Sequence, residues 1–338
     1  MTPDDPKQRL ILPFFLLTLL LILVCAVLTL TQGRFATGLA DLPTALLDRA
    51  EVTDTGFAVR QLRLPRAVMA VLAGAALGVA GALMQAITRN PLADPGLTGV
   101  TAGAAFAVVL GFTLLGVSQA GLLVLGTVGG ALSGALTFAL AAQRGFNPAH
   151  LILAGVAVAA FCLSGINVLL LLGATSMNSA WFWLVGGLAN RTWQDVGHLW
   201  PMVLPVLVLV WLTSRRLDLL LLDDDTSRGI GLHAGRWRLI FGLCSVVLTA
   251  GCVATCGPIG FIGLLAPHVA RMGLGGAVSH RLLIPASALA GAAILSVADA
   301  LAASRLIFPT EIPTGIPAIL IGAGMFLLLF RNGLRVGR

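Results

Sequence analysis

What most limits the folds open to this chain is a series of continuous apolar runs, each roughly 20 residues long, the length a helix needs to cross a hydrocarbon core about 30 Å thick. The strands of a membrane barrel alternate with period two, and these runs do not alternate. Composition agrees: 58% of the residues are hydrophobic, 10% are charged and the mean hydropathy is +0.98, too little polar surface to coat a soluble domain of 338 residues. The expected fold is an all-α membrane protein, one transmembrane domain over residues 1–338 with about ten helices.

Spans are expected at 10–30, 67–86, 99–115, 120–142, 149–172, 196–212, 237–254, 259–273, 282–303 and 316–330. Lys7 and Arg9 precede the first run, which is too long for the 7–15-residue apolar core of a signal peptide and is expected to stay as a span. With the N-terminus inside, 14 of the 21 basic residues fall on the inner side, a bias that supports N-in, C-in and an even number of spans. Glycines spaced four apart, such as Gly74 and Gly78 or Gly130 and Gly134, predict close helix packing.

The net charge of +7 does not point to nucleic acid, because the basic residues stand singly between spans without a basic arm. Cys25, Cys162, Cys244, Cys252 and Cys256 all lie in apolar stretches and are expected to act as small packing residues. Cys252 and Cys256 share a helix face but have no His or carboxylate at ligand spacing, so no metal site is expected.

Two stretches interrupt the spans. Between the second and third, Asn90-Pro91 and Asp94-Pro95 force two residues out of helical geometry. Asp94 followed by Pro95 has the form of a helix N-cap and first helical position. The stretch is either a well-capped turn or irregular backbone bordering a cavity or gate. The second interruption is Gly257-Pro258, expected to turn the chain at the outer face, followed by Pro267, His268 and Arg271. His268 is either a hydrogen-bonded packing residue beside the Pro267 kink or a ligand or proton relay. Asp299 is the acid placed well inside an apolar run, where an unpaired carboxylate costs about 2.5–3.5 kcal/mol at the membrane centre. A structural pairing accounts for it with fewer parts than proton transport, whose relays need several such groups.

The longest inner loop, residues 213–236, carries Asp223, Asp224, Asp225, Thr226, Arg228, Gly229, Ile230, Gly231 and Leu232. Its capping and glycine pattern suits one or two short helices. Its apolar residues, Leu219 to Leu222 and Ile230, either pack on the protein's own inner face or dock on another protein. At the outer side Arg60, Arg63 and Arg66 cluster at the start of the second span, where cations oppose the helix dipole unless something acidic meets them. They have the form of a landing patch for an anion or a partner's carboxylates, with interfacial snorkelling as the alternative. No phosphate-binding loop, H-E-x-x-H helix or G-x-S-x-G elbow is present, so uphill transport would need an ion gradient or a partner that hydrolyses ATP.

Five segments together resemble the FecCD-type permeases: Arg63-Leu-Pro-Arg66, Gly74 to Gln85, Arg89-Asn-Pro-Leu-Ala-Asp-Pro95, Gly257 to Arg271, and Ala298-Asp299 with Glu311-Ile-Pro313-Thr-Gly315. These are membrane subunits of type II ABC importers for iron-siderophores, haem and cobalamin. The resemblance implies a second permease subunit, as homodimer or paralogous heterodimer, two cytoplasmic ATPase subunits holding ATP and Mg, and a periplasmic binding protein. It places the chain in a bacterial inner membrane with no cofactor of its own. It also implies that Arg63 and Arg66 receive acids of the binding protein, and that Asp223 to Leu232 contact the ATPase. The family's A-D-x-x-A-R pattern lacks its arginine here, and Arg305 lies two residues later as a candidate replacement. The expected cargo is a ferric siderophore or related ferric chelate; a haem or cobalamin importer and a proton-coupled secondary transporter are the alternatives.

Overall fold

The structure is a computed structural model that describes residues 8–32, 37–47, 53–143, 148–172, 183–222, 229, 233–276, 278–304 and 310–331. Among these residues there is no strand. The main helices are α1 (Gln8–Thr31), α2 (Leu64–Thr88), α3 (Val100–Leu110), α4 (Gln119–Ala142), α5 (Pro148–Leu172), α6 (Trp193–Thr213), the short α7 (Arg215–Leu220), α8 (Ala234–Cys256), α9 (Ile262–Gly273), α10 (His280–Ala303) and α11 (Gly315–Arg331).

Seven described helical stretches are long and apolar enough to cross a membrane, and Val100–Leu115 and Gly315–Leu328 are shorter apolar helices. With the 12-residue α9 they correspond to the ten expected spans. The second stretch begins earlier than expected: helix starts at Asp54 and passes through a π-helical segment, Ala58–Arg63, before α2.

The eighth span departs from expectation. Gly257 does turn the chain, since Cys252 lies against Ala73 of α2 and Gly263 lies back against Gly81, but the returning segment stays non-helical through Gly260 and becomes helical only at Ile262. The reason is local. Gly257 has φ +70° and Phe261 has φ +68°, both left-handed, and Pro258 between them offers no N–H for a helical bond. Phe261 packs against Gly322, seven residues into α11, which puts the break about 10 Å in from that helix's start.

Packing centres on α2, buried over most of its length. Alanine and glycine line it, and the reason is steric: a Cβ on Gly74 would clash with the Gly291 carbonyl of α10, and one on Gly78 with the Ser287 carbonyl. Lipid tails are as apolar as leucine, so helices in a membrane associate through such close van der Waals approach rather than through apolar burial. The α8 helix packs on α2, α4 and α6, with Phe138 and Phe241 fully buried. By contrast α1 leaves Leu12, Leu16, Leu17, Leu20 and Leu23 exposed, a face suited to lipid.

Candidate functional site

At one end of the bundle Arg63 and Arg66, the expected landing patch, are turned inward and bonded within the chain. Both are 8% exposed. Arg63 donates to the Leu30 carbonyl at 2.7 Å and to Thr37 Oγ1 at 3.1 Å. Arg66 makes a forked bond to Asp299, Nε to Oδ1 and Oδ2 at 3.0 and 2.9 Å and Nη2 to Oδ1 at 2.9 Å, and its Nη1 meets Glu311. Arg60 donates to the Ala45 carbonyl. Arg66 meets the acids that the dipole argument asks for at the head of a helix. The acids at Arg66 come from the same chain.

Asp299 is thus the paired carboxylate that its burial in an apolar run called for, at 1% exposure. Thr314 Oγ1 donates to Asp299 Oδ1 at 2.9 Å and accepts from the Leu188 backbone N–H at 3.2 Å. The network Glu311–Arg66–Asp299–Thr314–Leu188 therefore joins α2, α10, the start of α11 and the non-helical stretch before α6. That stretch leans on the other break: Gly187 N donates to the Cys256 carbonyl at 2.7 Å, and Gly315 N to the Gly186 carbonyl at 3.0 Å.

Beside this network lies a cavity of about 610 Å³ lined by Trp183, Asn190, Arg191, Gln194, Glu311 and Pro313 among others. Arg191 donates to the Thr255 carbonyl at 2.6 Å and stands 3.8 Å from Asp195. Asp195 in turn accepts from the Thr192 N–H at 2.8 Å, so the charges at this wall are matched within the chain.

Deeper in the bundle the two interruptions meet. Asp94 caps the short 3-10 turn Pro95–Thr98 through Gly96 N at 2.7 Å, as its position before Pro95 predicts. Its carboxylate also accepts the Leu264 backbone N–H at the start of α9. Burial pushes the Asp94 carboxyl above the ordinary carboxylate range, and the two backbone N–H groups oppose that rise. Asn90 Oδ1 accepts the Leu92 N–H at 2.9 Å, while Pro91 is exposed. On α9, Pro267 and His268 are buried, and Arg271 reaches Gln85 Oε1. His268 packs, but its Nε2 has no hydrogen-bond partner, so the expected hydrogen bond is not made at that atom. No hydrogen bond joins it to Asp299, so the pair does not form a relay among the described residues.

At the opposite end, α7 leads toward the expected coupling loop. Asp223, Asp224, Asp225, Thr226, Arg228, Ile230, Gly231 and Leu232 lie outside the described residues, as does Arg305. Gly229 is described and exposed. The apolar residues leading to the loop divide: Leu217 and Leu220 are buried against the chain itself, whereas Leu221 and Leu222 are exposed. Two residues that sequence reasoning does not single out matter here, Asp218 and His280. Asp218 Oδ1 accepts from the His280 backbone N–H at 2.9 Å and lies 2.6 Å from its Nδ1. A lone acid in a basic stretch is the only signal the pair leaves in sequence.

Among the described residues no cluster of His, Cys, Asp or Glu could hold a metal ion. The charged groups of this arrangement are spent on joining helices at the two ends. Comparison with known proteins fits this picture: the model of the FecCD transport family matches residues 19–332. The chain belongs to the FecCD transport family. It is 39% identical to the Fe(3+) dicitrate transport system permease protein FecC of Escherichia coli (strain K12), over 87% of this chain and 89% of that one. It is 38% identical to the ferric enterobactin transport system permease protein FepD of the same organism, over 94% and 95%. A solved inward-facing metal-chelate type ABC transporter superposes with a TM-score of 0.82 at 30% identity, covering 93% of this chain and 97% of that one. This FecCD chain is a multi-pass membrane permease.

Proposed function

We propose that the chain is the membrane-spanning subunit of an ATP-driven importer that carries a ferric carboxylate or siderophore chelate from periplasm to cytoplasm across a bacterial inner membrane. The observation that carries this reading is full-length similarity to permeases named for ferric dicitrate and ferric enterobactin. Two physical features support it. The chain has no phosphate-binding loop of its own, and among the described residues no group of charged side chains converges on a ligand site within the spans. ATP and Mg then belong to two cytoplasmic ATPase subunits, and a second permease subunit, a homodimer or paralogous heterodimer partner, completes the path. The loop from Asp223 to Leu232 meets the ATPases, and lipid covers the exposed faces. No step needs nucleic acid or a cofactor held by this chain.

A periplasmic binding protein docks at the Arg66 end. Because Arg66 is already paired, a partner's carboxylate would engage it by displacing Glu311, whose side chain is 42% exposed, while Asp299 stays in place. Proton-coupled secondary transport has less support, since the acid it needs is held by Arg66 and Thr314. Iron-chelate uptake by the complex reconstituted in vesicles is the test. Uptake that requires ATP and the binding protein, and that Ile230→Asp with Leu232→Asp abolishes without loss of membrane insertion, is the expected result. Uptake driven by a proton gradient without the ATPase would overturn the reading.

A further inference from the structure

We propose that Arg89 and Asp218 are positioning residues for coupling: they grip α7 and fasten it to a rigid α2–α10 rod that carries displacement of the loop beyond α7 to the opposite mouth. The inference rests on the importer reading above and names how its two ends communicate.

The rod is defined by backbone contact. The Gly74 and Gly291 positions, and Gly78 against Ser287, leave no room for even a methyl group between α2 and α10. Two helices this close move as one body, because close-packed elements transmit displacement rather than absorb it. At one end the rod is closed by the forked Arg66–Asp299 bond, and Asp299 reaches Leu188 through Thr314. Those groups stand beside the cavity that Glu311 and Pro313 line.

At the other end both helices of the rod hold the same short element. Arg89 closes α2 as its C-cap residue, and its side chain donates to the Leu220 carbonyl at 3.0 Å and to the Leu222 carbonyl. Those carbonyls are the last turn of α7 and the residues that lead into the loop. Asp218, in the middle of α7, accepts from the first residue of α10, from both the backbone N–H and the ring of His280. A carboxylate at that place also meets the positive end of the α10 dipole. Leu217 and Leu220, buried at 0% and 1%, seat α7 between the two helices.

Arg89 has a further peculiarity. Its φ is +49°, in the left-handed region where a helix C-cap is usually glycine because a Cβ is strained there. An arginine kept in that conformation indicates that its side chain is needed, and what the side chain does is hold the α7 carbonyls. Strain retained in this way marks a site where geometry matters more than local stability.

The experiment uses the reconstituted permease–ATPase–binding-protein complex, with chelate transported per ATP hydrolysed as the readout, beside complex assembly and melting temperature. Arg89→Gly relieves the left-handed strain, so it should melt at or above the wild-type temperature, yet it should lower transport per ATP at least fivefold. Asp218→Ala should lower the same ratio, and Asp218→Asn, which keeps an acceptor for the His280 N–H, should recover part of it. Ratios within twofold of wild type in both Arg89→Gly and Asp218→Ala would overturn the grip. So would transport and hydrolysis falling in proportion, which is the signature of lost assembly. A wild-type complex that shows no ATP-dependent transport fails at an earlier point: it sinks the importer reading, and the grip with it.

Discussion

Removing Asp299 while leaving Arg66 in place should be one of the most damaging single changes this chain can suffer. Asp299 is 1% exposed and accepts three Arg66 N–H bonds of 2.9–3.0 Å and one from Thr314. In Asp299→Ala the guanidinium stays buried among helices, and Glu311 is its remaining carboxylate. Because Glu311 is 42% exposed, water screens that pairing and weakens it. Stranding one member of a buried ion pair costs about 3–5 kcal/mol, which is roughly two to four orders of magnitude in the folding equilibrium. The pair itself is a different matter, since replacing both members by apolar groups is often neutral or stabilising. The double variant Arg66→Met with Asp299→Ala should therefore recover most of the loss. A double-mutant cycle on the purified chain in detergent, followed by thermal or denaturant unfolding, reads this directly. The coupling should exceed about 1.5 kcal/mol; single-variant effects that add to within about 0.5 kcal/mol would refute the claim that the two side chains depend on each other.

Three further outcomes follow from the same structure. Gly81→Ala should destabilise by at least about 1–3 kcal/mol, because its methyl would collide with the backbone carbonyl of Gly263 on α9, which has no flexible side chain to yield; an unchanged melting temperature would contradict that packing. Asp94→Ala should cost about 1–2 kcal/mol by uncapping both Gly96 N and Leu264 N, with Asp94→Asn retaining most of the stability, as a melting series in detergent would show. All five cysteines are buried, so a maleimide should label none of them in the folded chain and all of them after denaturation, counted by intact mass; fast labelling of the native chain would mean that a helix is misplaced.

The spans were legible because a helix buried in lipid needs a continuous apolar run, and that requirement is written in consecutive residues. The capped turn at Asp94 was legible for the same reason, since a cap and the proline after it are neighbours in sequence. Arg66 shows where such reasoning stops. Three cations at the head of a helix correctly demand an acid, but nothing local says that it stands 233 residues away on α10. Asp218 and His280, 62 residues apart, are hidden for the same reason. The eighth span was located by its hydropathy, yet the non-helical entry at Gly257 depends on two left-handed residues and on support from Gly186 and Gly187, which no window of consecutive residues contains.

Of all possible tests, uptake of radioactive iron as ferric citrate into sealed vesicles bears most directly on the central claim. The vesicles would hold this permease with its partner subunit and ATPases, with ATP inside, binding protein outside and the proton gradient collapsed. The account predicts accumulation that stops when ATP or the binding protein is withheld. Accumulation that persists without ATP and vanishes with the proton gradient would contradict it.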